Sequence, residues 1–324
     1  MSPFGFETPC EEVAKAFGDR VGGRTFLVTG SSEKGLGATA AVALSREGPA
    51  HLILVSRNKA KVDPVIEEIA QAGPDVKVTF VPCELSDFTS VRQAAATILD
   101  DAAIPQIDVL LNNAGVMAIK DYTKDRQGYE LTLSSNHLGH FLLTNLLMSK
   151  ILAAGAGARI VNVTSSGHRI GPFRFADPNF SRDGAAYDGW SAYGQSKTAN
   201  ILFSVELARR LGARGITSLA VHPGGIMETN LTNHLTAEDF AVIVETARRN
   251  NGAETFAIDH PMKTTAQGTA PLVAACLDPA FDEHNGSFIQ DCQVGQALEY
   301  ATDPEKAKKL WTLSEQLVGQ PFDI

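Results

Sequence analysis

The chain has 324 residues and a mass of 34.5 kDa, with 44% hydrophobic and 20% charged residues. That composition supports a buried core and excludes a disordered chain. Thirty-seven acidic against 28 basic residues leave a formal charge of −9. A nucleic-acid partner is excluded, because neutralising a phosphate polymer needs clustered Lys and Arg. The four cysteines, Cys10, Cys83, Cys276 and Cys292, show neither metal-ligand spacing nor the density of a disulfide framework. No metal is expected, and a reducing, cytoplasmic setting is.

The N-terminus lacks a cationic start followed by an apolar run, so no secretory signal is expected. Thr8-Pro9-Cys10-Glu11 has the form of a helix start, with Thr8 as cap, Pro9 in the first helical position and Glu11 returning to the cap. It predicts a short helix over 9–17 within an N-terminal extension spanning 1–20. Apolar, β-branched runs follow at 24–29, 51–56, 76–82, 107–112, 158–164 and 216–222, with a last one near 286–290. Near-continuous apolar runs suit strands buried on both faces of a parallel sheet. Segments with helical periodicity lie at 37–47, 59–72, 88–101, 128–153, 192–211 and 303–318. The most apolar long stretch, 138–158, is interrupted by His140, Asn145 and Lys150, and reads as a core helix and not a membrane span. Alternating strands and helices predict an α/β fold, a doubly wound parallel sheet with helices on both faces. No linker rich in Pro, Gly or Ser divides it, so one domain over 1–324 is expected.

The first strand ends in Thr29-Gly30-Ser31-Ser32-Glu33-Lys34-Gly35-Leu36-Gly37 and enters a helix. Glycines there permit a tight turn and let backbone N–H groups approach a pyrophosphate at the positive end of the helix. The acidic residue that usually grips the ribose of NAD at the end of the second strand is missing; Ser56-Arg57-Asn58 stands in its place. With Lys34 in the glycine loop, two cations would face a 2′-phosphate, which favours NADP(H). The alternative is that Arg57 and Lys34 are solvated surface charges.

Tyr193-Gly-Gln-Ser-Lys197 opens a predicted helix, so Tyr193 and Lys197 share one face at i, i+4. Asn112-Asn113-Ala114-Gly115 follows the fourth strand and Ser165 the fifth. With the glycine loop, this ordered set closely resembles the short-chain dehydrogenase/reductase family, from Val13 through Val318. Asn136-His-Leu-Gly-His-Phe-Leu-Leu-Thr-Asn145, Ala192-Tyr-Gly-Gln-Ser-Lys-Thr-Ala-Asn-Ile-Leu202 and Leu310-Trp-Thr-Leu-Ser-Glu-Gln-Leu-Val318 are similar to its retinol-dehydrogenase-like branch, particularly fungal members. The resemblance implies a Rossmann-like fold, a catalytic tetrad of Asn136, Ser165, Tyr193 and Lys197, and pairing of subunits as a homodimer or homotetramer through the helices over 128–153 and 192–211. It further implies cofactor contacts from Gly30, Ser31, Lys34, Gly35, Leu36, Gly37, Arg57, Glu84, Leu85, Asn113, Ala114, Gly115, Tyr193, Lys197, Pro223, Gly224 and Thr229.

Physical chemistry supports those roles. A phenol with an ordinary pKa near 10 is a reluctant proton partner near neutrality, and a cation about 4 Å away favours phenolate by several kcal/mol at most. Tyr193 is thus the expected acid/base, Lys197 its tuner and ribose anchor, and Ser165 the group orienting the substrate oxygen. Asn136 would hold a water linking Lys197 to solvent. Turn chemistry also explains serines in Thr164-Ser165-Ser166, and the register could favour Ser166. His51, His140, His168 and His222 are expected in packing or turn roles.

Three departures from the family's pattern stand out. Four residues separate Gly30 from Gly35 where three are usual, Glu84 replaces the Asp that contacts adenine, and the segment from Pro223 to Thr229 is one residue long. Two segments are expected to shape the substrate pocket: 166–190, with Ile170, Phe173, Phe175, Phe180, Tyr187 and Trp190, and 227–262, with an amphipathic stretch over 237–249. An apolar wall suits a hydrophobic carbonyl or alcohol, although these aromatics would equally serve to pack the insertion. The expected activity is NADP(H)-dependent interconversion of carbonyl and alcohol on a lipophilic small molecule, with a secondary-metabolite substrate suggested by the fungal resemblance. The alternatives are a non-redox cyclase or isomerase that keeps the dinucleotide to organise its pocket, and a binding or regulatory protein.

Overall fold

The computed structural model describes residues 2–181, 184–252, 256–257 and 261–324. Parts of both expected pocket segments, 182–183, 253–255 and 258–260, lie outside the described residues. Seven parallel strands form the sheet: β1 (Thr25–Thr29), β2 (His51–Ser56), β3 (Lys77–Pro82), β4 (Val109–Asn112), β5 (Arg159–Val163), β6 (Thr217–His222) and β7 (Phe288–Gln290). An antiparallel edge strand, β8 (Gln293–Val294), completes it, in the order β3-β2-β1-β4-β5-β6-β7-β8.

Alternation along each strand divides the core in two. Leu27, Ile53, Leu110 and Ile160 face one side, with the helices Phe88–Asp100, Gly139–Leu146, Gly189–Leu211 and Pro304–Val318. Phe26, Leu52, Val109 and Val161 face the other, with Cys10–Ala16, Leu36–Ser45, Asp63–Ala72 and Thr265–Leu277. Strand order reverses between β1 and β4, which opens a crevice at the carboxyl ends of the strands.

Four elements differ from the sequence expectation. The N-terminal helix forms, but Pro9 is its cap, with an extended backbone and no side-chain capping bond; Thr8 Oγ1 instead accepts from Gly5 N–H at 3.1 Å. The expected helix over 128–153 is broken into Leu131–Leu133, a π-helical turn at Ser134–Leu138, and two helices that part at Leu147. Thr265–Leu277 was not expected to be helical, and neither was β8 expected to be a strand. The expected pairing face also carries a cover. Trp311 of the C-terminal helix packs edge-on to Phe141 at 5.0 Å, Arg210 lies over the indole at 4.0 Å, and His137 Nε2 meets Ser314 Oγ at 2.8 Å.

Candidate active site

A cavity of about 800 Å³ follows the crevice from the β2–β3 ends to the segment after β6. The glycine loop forms its first wall. Gly30 has φ +72°, and a Cβ there would lie 2.7 Å from Ala114 Cα; a Cβ on Gly37 would lie 2.6 Å from Asn113 Nδ2 and from the Gly30 carbonyl oxygen. Both positions must be bare. Asn113 locks this contact, donating from Nδ2 to the Thr29 and Gly30 carbonyls at 2.9 and 3.2 Å. The helix after the loop starts at Leu36 with no side-chain cap, so its first-turn N–H groups remain open to an anion. This is the fit expected for a dinucleotide pyrophosphate.

The extra loop residue is accommodated sideways. Lys34 takes a left-handed backbone (φ +60°), and the preceding Glu33 N–H is drawn to the Lys61 carbonyl at 2.9 Å. Lys34 therefore does not line the cleft, and neither do Ser31 or Gly37; Ser32, Asn58 and Lys61 do. Ser31 is fully buried, with its hydroxyl unpartnered. Lys61, and not Lys34, is a cation on the cleft wall with Arg57; it comes from a 3₁₀ turn whose start Asn58 caps by accepting from Ala60 N–H. That residue was visible in Arg57-Asn-Lys-Ala-Lys61, but its direction depended on the turn. Arg57 is not free of acid: Nη1 lies 3.3 Å from Glu84 Oε2, and Glu84 Oε1 turns back to Ser86 Oγ at 2.8 Å. Gly35, Leu36, Glu84, Leu85, Ala114, Gly115, Pro223, Gly224 and Thr229 all line the cleft.

Lys197 occupies the floor. Its side chain is 4% exposed, Nζ donates to the Val163 carbonyl at 3.1 Å, and burial lowers its pKa to about 8. It lies 5.5 Å from the Tyr193 ring centroid, as the shared helix face requires. Gly167 sets the distance across the site. A Cβ there would lie 2.6 Å from Tyr193 Cε1 and 3.3 Å from Ser165 Oγ, so the serine hydroxyl and the tyrosine ring flank one bare backbone position. Ser165 is half-buried on the cleft wall, where Oγ accepts from Gly167 N–H at 2.9 Å. Ser166 also lines the cleft, but is more deeply buried. His168 holds the serine's backbone. Its Nε2 accepts from Leu298 N–H at 3.3 Å, so the ring proton sits on Nδ1, which donates to the Ser165 carbonyl at 2.7 Å.

Asn136 lies in the π-helical turn, fully buried behind the wall. Its amide closes a ring with Val116, accepting from N–H at 2.8 Å and donating to the carbonyl at 2.9 Å, and also donates to Ser196 Oγ at 3.0 Å. The side chain is fully committed, and its main-chain carbonyl is held by His140. Thr29 Oγ1 accepts from the N–H groups of Asn113 and Ala114 at 2.9 and 3.0 Å, so its proton points to His140 Nε2 at 2.8 Å. His140 Nδ1 then donates to the Asn136 carbonyl at 3.1 Å. Burial keeps this histidine neutral, pushing its pKa down to about 4. The packing role expected for His140 is therefore also a link between the end of β1 and Asn136.

Beyond Tyr193 the cleft turns apolar, lined by Met117, Ile170, Trp190, Phe240, Ile243 and Phe256. Trp190 is fixed by its indole N–H, which donates to the Asp239 carbonyl at 2.7 Å. Of the six side chains expected from 166–190, only Ile170 and Trp190 line the cleft. Phe173 and Phe175 pack on each other at 4.8 Å, and Phe180 packs against Tyr187 at 5.3 Å beneath Arg174. They anchor the insertion. Among the described residues, no group of three His, Cys, Asp or Glu is placed to hold a metal, and no helix is long and apolar enough to cross a membrane.

Comparison with known proteins agrees with this geometry. The short chain dehydrogenase family profile matches residues 24–176. Retinol dehydrogenase 14 of Mus musculus is 36% identical over 307 residues, covering 92% of this chain and 86% of its own length. Short-chain dehydrogenase/reductase prx1 of Penicillium roqueforti is 34% identical over 316 residues, covering 93% and 86%. A crystal structure from Mycobacterium paratuberculosis superposes with a TM-score of 0.70 at 31% identity, over 95% of this chain and 98% of that one. A structure from Beutenbergia cavernae with bound NADP superposes with a TM-score of 0.60 at 26% identity, over 83% and 95%. This chain belongs to the short-chain dehydrogenase/reductase family of oxidoreductases, in its retinol-dehydrogenase-like branch.

Proposed function

We propose that the protein is an NADP(H)-dependent oxidoreductase that interconverts a carbonyl and an alcohol on a lipophilic small molecule, working as one domain in the cytoplasm. The observation that carries this reading is the buried Lys197 ammonium 5.5 Å from the Tyr193 ring, on the floor of a cleft whose far half is apolar. The bound nicotinamide would supply or accept the hydride. The Leu36 helix start would hold its pyrophosphate, and Arg57, Lys61 and Ser32 would face a 2′-phosphate, Arg57 exchanging Glu84 for it.

Tyr193 gives a proton to the substrate oxygen in reduction and removes it in oxidation. Lys197, charged below its pKa of about 8, stabilises the phenolate left behind. Ser165 donates a hydrogen bond to the same oxygen, its backbone steadied by His168. The Asn136 carbonyl, oriented by His140, would hold a water linking Lys197 to solvent, and along that path the Tyr193 phenolate would regain the proton it gave to the substrate. Trp190, Phe240 and Ile243 exclude water from the reacting carbon and favour an apolar substrate. A secondary-metabolite substrate remains part of this proposal, on the sequence resemblance to fungal members of the family. The C-terminal helix covering the 128–153 and 192–211 surface favours a monomer over pairing through that face. The named relatives are oxidoreductases, and nothing supports the cyclase reading.

The test is a carbonyl and alcohol panel followed by nicotinamide absorbance. Tyr193→Phe should abolish turnover while NADPH still quenches or enhances fluorescence; full turnover by that variant would overturn the assignment.

A further inference from the structure

Behind the loop that closes the nicotinamide end of the cleft lies a buried ion pair outside the tetrad. Lys263 has 0% side-chain exposure and does not itself line the cleft. Its Nζ lies 2.5 Å from Asp291 Oδ1, and the Phe6 ring lies 4.7 Å from the same nitrogen. The aliphatic stem runs directly under Gly224. A Cβ on Gly224, at φ +96°, would meet Lys263 Cδ at 2.8 Å and Cε at 3.0 Å. The Lys263 N–H also donates to the Gly225 carbonyl at 2.8 Å. Pro223, Gly224 and Gly225 are cleft wall, so the far side of that wall rests on one charged side chain.

A buried ammonium is costly unless it is paired, and the pairing here is built with effort. Asp291 and Cys292 form the two-residue β7–β8 turn with φ of +52° and +58°. Hairpin turns of this hand ordinarily use Asn, Asp or Gly, so Asp291 suits its position, whereas Cys292 gains nothing from a left-handed backbone. Such a conformation persists only when its surroundings impose it. The N-terminal segment supplies part of that constraint: Gln293 Nε2, just after the turn, donates to the Ser2 and Phe4 carbonyls at 2.8 and 2.6 Å. Gln267, in the first turn of the next helix, donates to Glu7 Oε2 at 2.9 Å. Three segments distant in sequence therefore converge on Lys263.

We propose that Lys263 is a positioning residue for the dinucleotide: its ion pair with Asp291, roofed by Phe6 of the N-terminal extension, holds its stem beneath Gly224 and fixes the Pro223–Gly225 wall. The proposal rests on the cleft being a nicotinamide dinucleotide site. Lys263 touches neither cofactor nor substrate and acts only through that wall. Loss of the pair would let the wall relax, and dinucleotide affinity would fall before the chemical step does, because Tyr193 and Lys197 stand on a different element.

Wild type, Lys263→Ala, Asp291→Asn and Asp291→Glu would be titrated with NADPH by fluorescence, with steady-state kinetics and thermal unfolding of the ligand-free proteins. Lys263→Ala and Asp291→Asn should raise Kd and KM for NADPH about tenfold, with kcat at saturation within about twofold. Asp291→Glu, which keeps the charge, should recover most of the affinity. Lower melting temperatures with unchanged Kd and KM would overturn the proposal, leaving the pair a fold stabiliser. Should Lys263→Ala not fold, Asp291→Asn and Phe6→Ala carry the test by the same criteria. Wild type that binds neither NADPH nor NADH would overturn the underlying reading as well, whereas binding by wild type with unaltered variants overturns this proposal alone.

Discussion

Replacing Lys197 with Met should abolish turnover and make the ligand-free protein more stable. The ammonium is buried, and burial lowers its pKa from 10.5 to about 8. At about 1.4 kcal/mol per pH unit, keeping it charged in the fold at pH 7 costs about 3 kcal/mol relative to the unfolded chain. Met keeps most of the stem and removes the charge. The hydrogen bond lost is covered, because Val163 O also accepts from Asn200 Nδ2 at 3.0 Å and is not orphaned. The sign follows from proton counting. Between pH 8 and 10.5 the unfolded chain binds the proton and the folded protein does not, so wild-type stability rises with pH across that window. Below pH 8 both states hold the proton and the cost is constant. Urea unfolding at pH 7 and pH 10 measures both effects: the variant should gain up to about 3 kcal/mol at pH 7 and lose the lysine's contribution to the pH slope. A variant less stable than wild type at pH 7, or one with an unaltered slope, would refute the argument that this cation is held against its solvation preference.

Arg57→Asp and Lys61→Ala should each move preference from NADPH towards NADH, by about tenfold or more in the ratio of kcat/KM values, as loss of a charge-assisted contact to phosphate predicts. An unchanged ratio in both would show that the Glu84-paired arginine and its neighbour do not face a 2′-phosphate. Trp311→Ala opens a cavity between the C-terminal helix and Phe141 and Phe203. It should cost about 3–5 kcal/mol, read as a fall in melting temperature of roughly 4–7 °C. Size-exclusion chromatography of the same variant should show new association if that helix is what keeps the face from pairing.

The strands were legible because parallel strands buried on both faces read as apolar runs, and their ends agree with the structure to within two residues. The helix Thr265–Leu277 was not, for a physical reason. Gly268 and Pro271 are both poor helix residues taken locally. Gly268 is there because a Cβ would lie 2.1 Å from Ile226 Cδ1, a contact with the loop after β6 that no local pattern reveals. The one local signal was Thr264 with Gln267, which form a reciprocal capping box. The π-helical turn was likewise hidden inside a stretch whose periodicity reads as one helix, yet it carries Asn136.

The site divides along the same line. The residues proposed to meet substrate and cofactor announce themselves by order and spacing, since Tyr193 and Lys197 need only one helix to share a face. The residues that hold them do not. His140 matters because Thr29 Oγ1 has spent both lone pairs on Asn113 and Ala114, which fixes the ring's tautomer and aims its proton at Asn136. Lys263 matters because a turn nearly thirty residues later presents a carboxylate to it. Lys34 and Lys61 show the converse: equally plausible cations in the sequence, separated only by which way one additional loop residue turns. Chemistry in this chain is therefore local in sequence, whereas its tuning is set by contacts between distant segments. That division leads back to the Lys197→Met experiment, where a residue recognised from a five-residue motif has its charge state governed by burial that the motif does not encode.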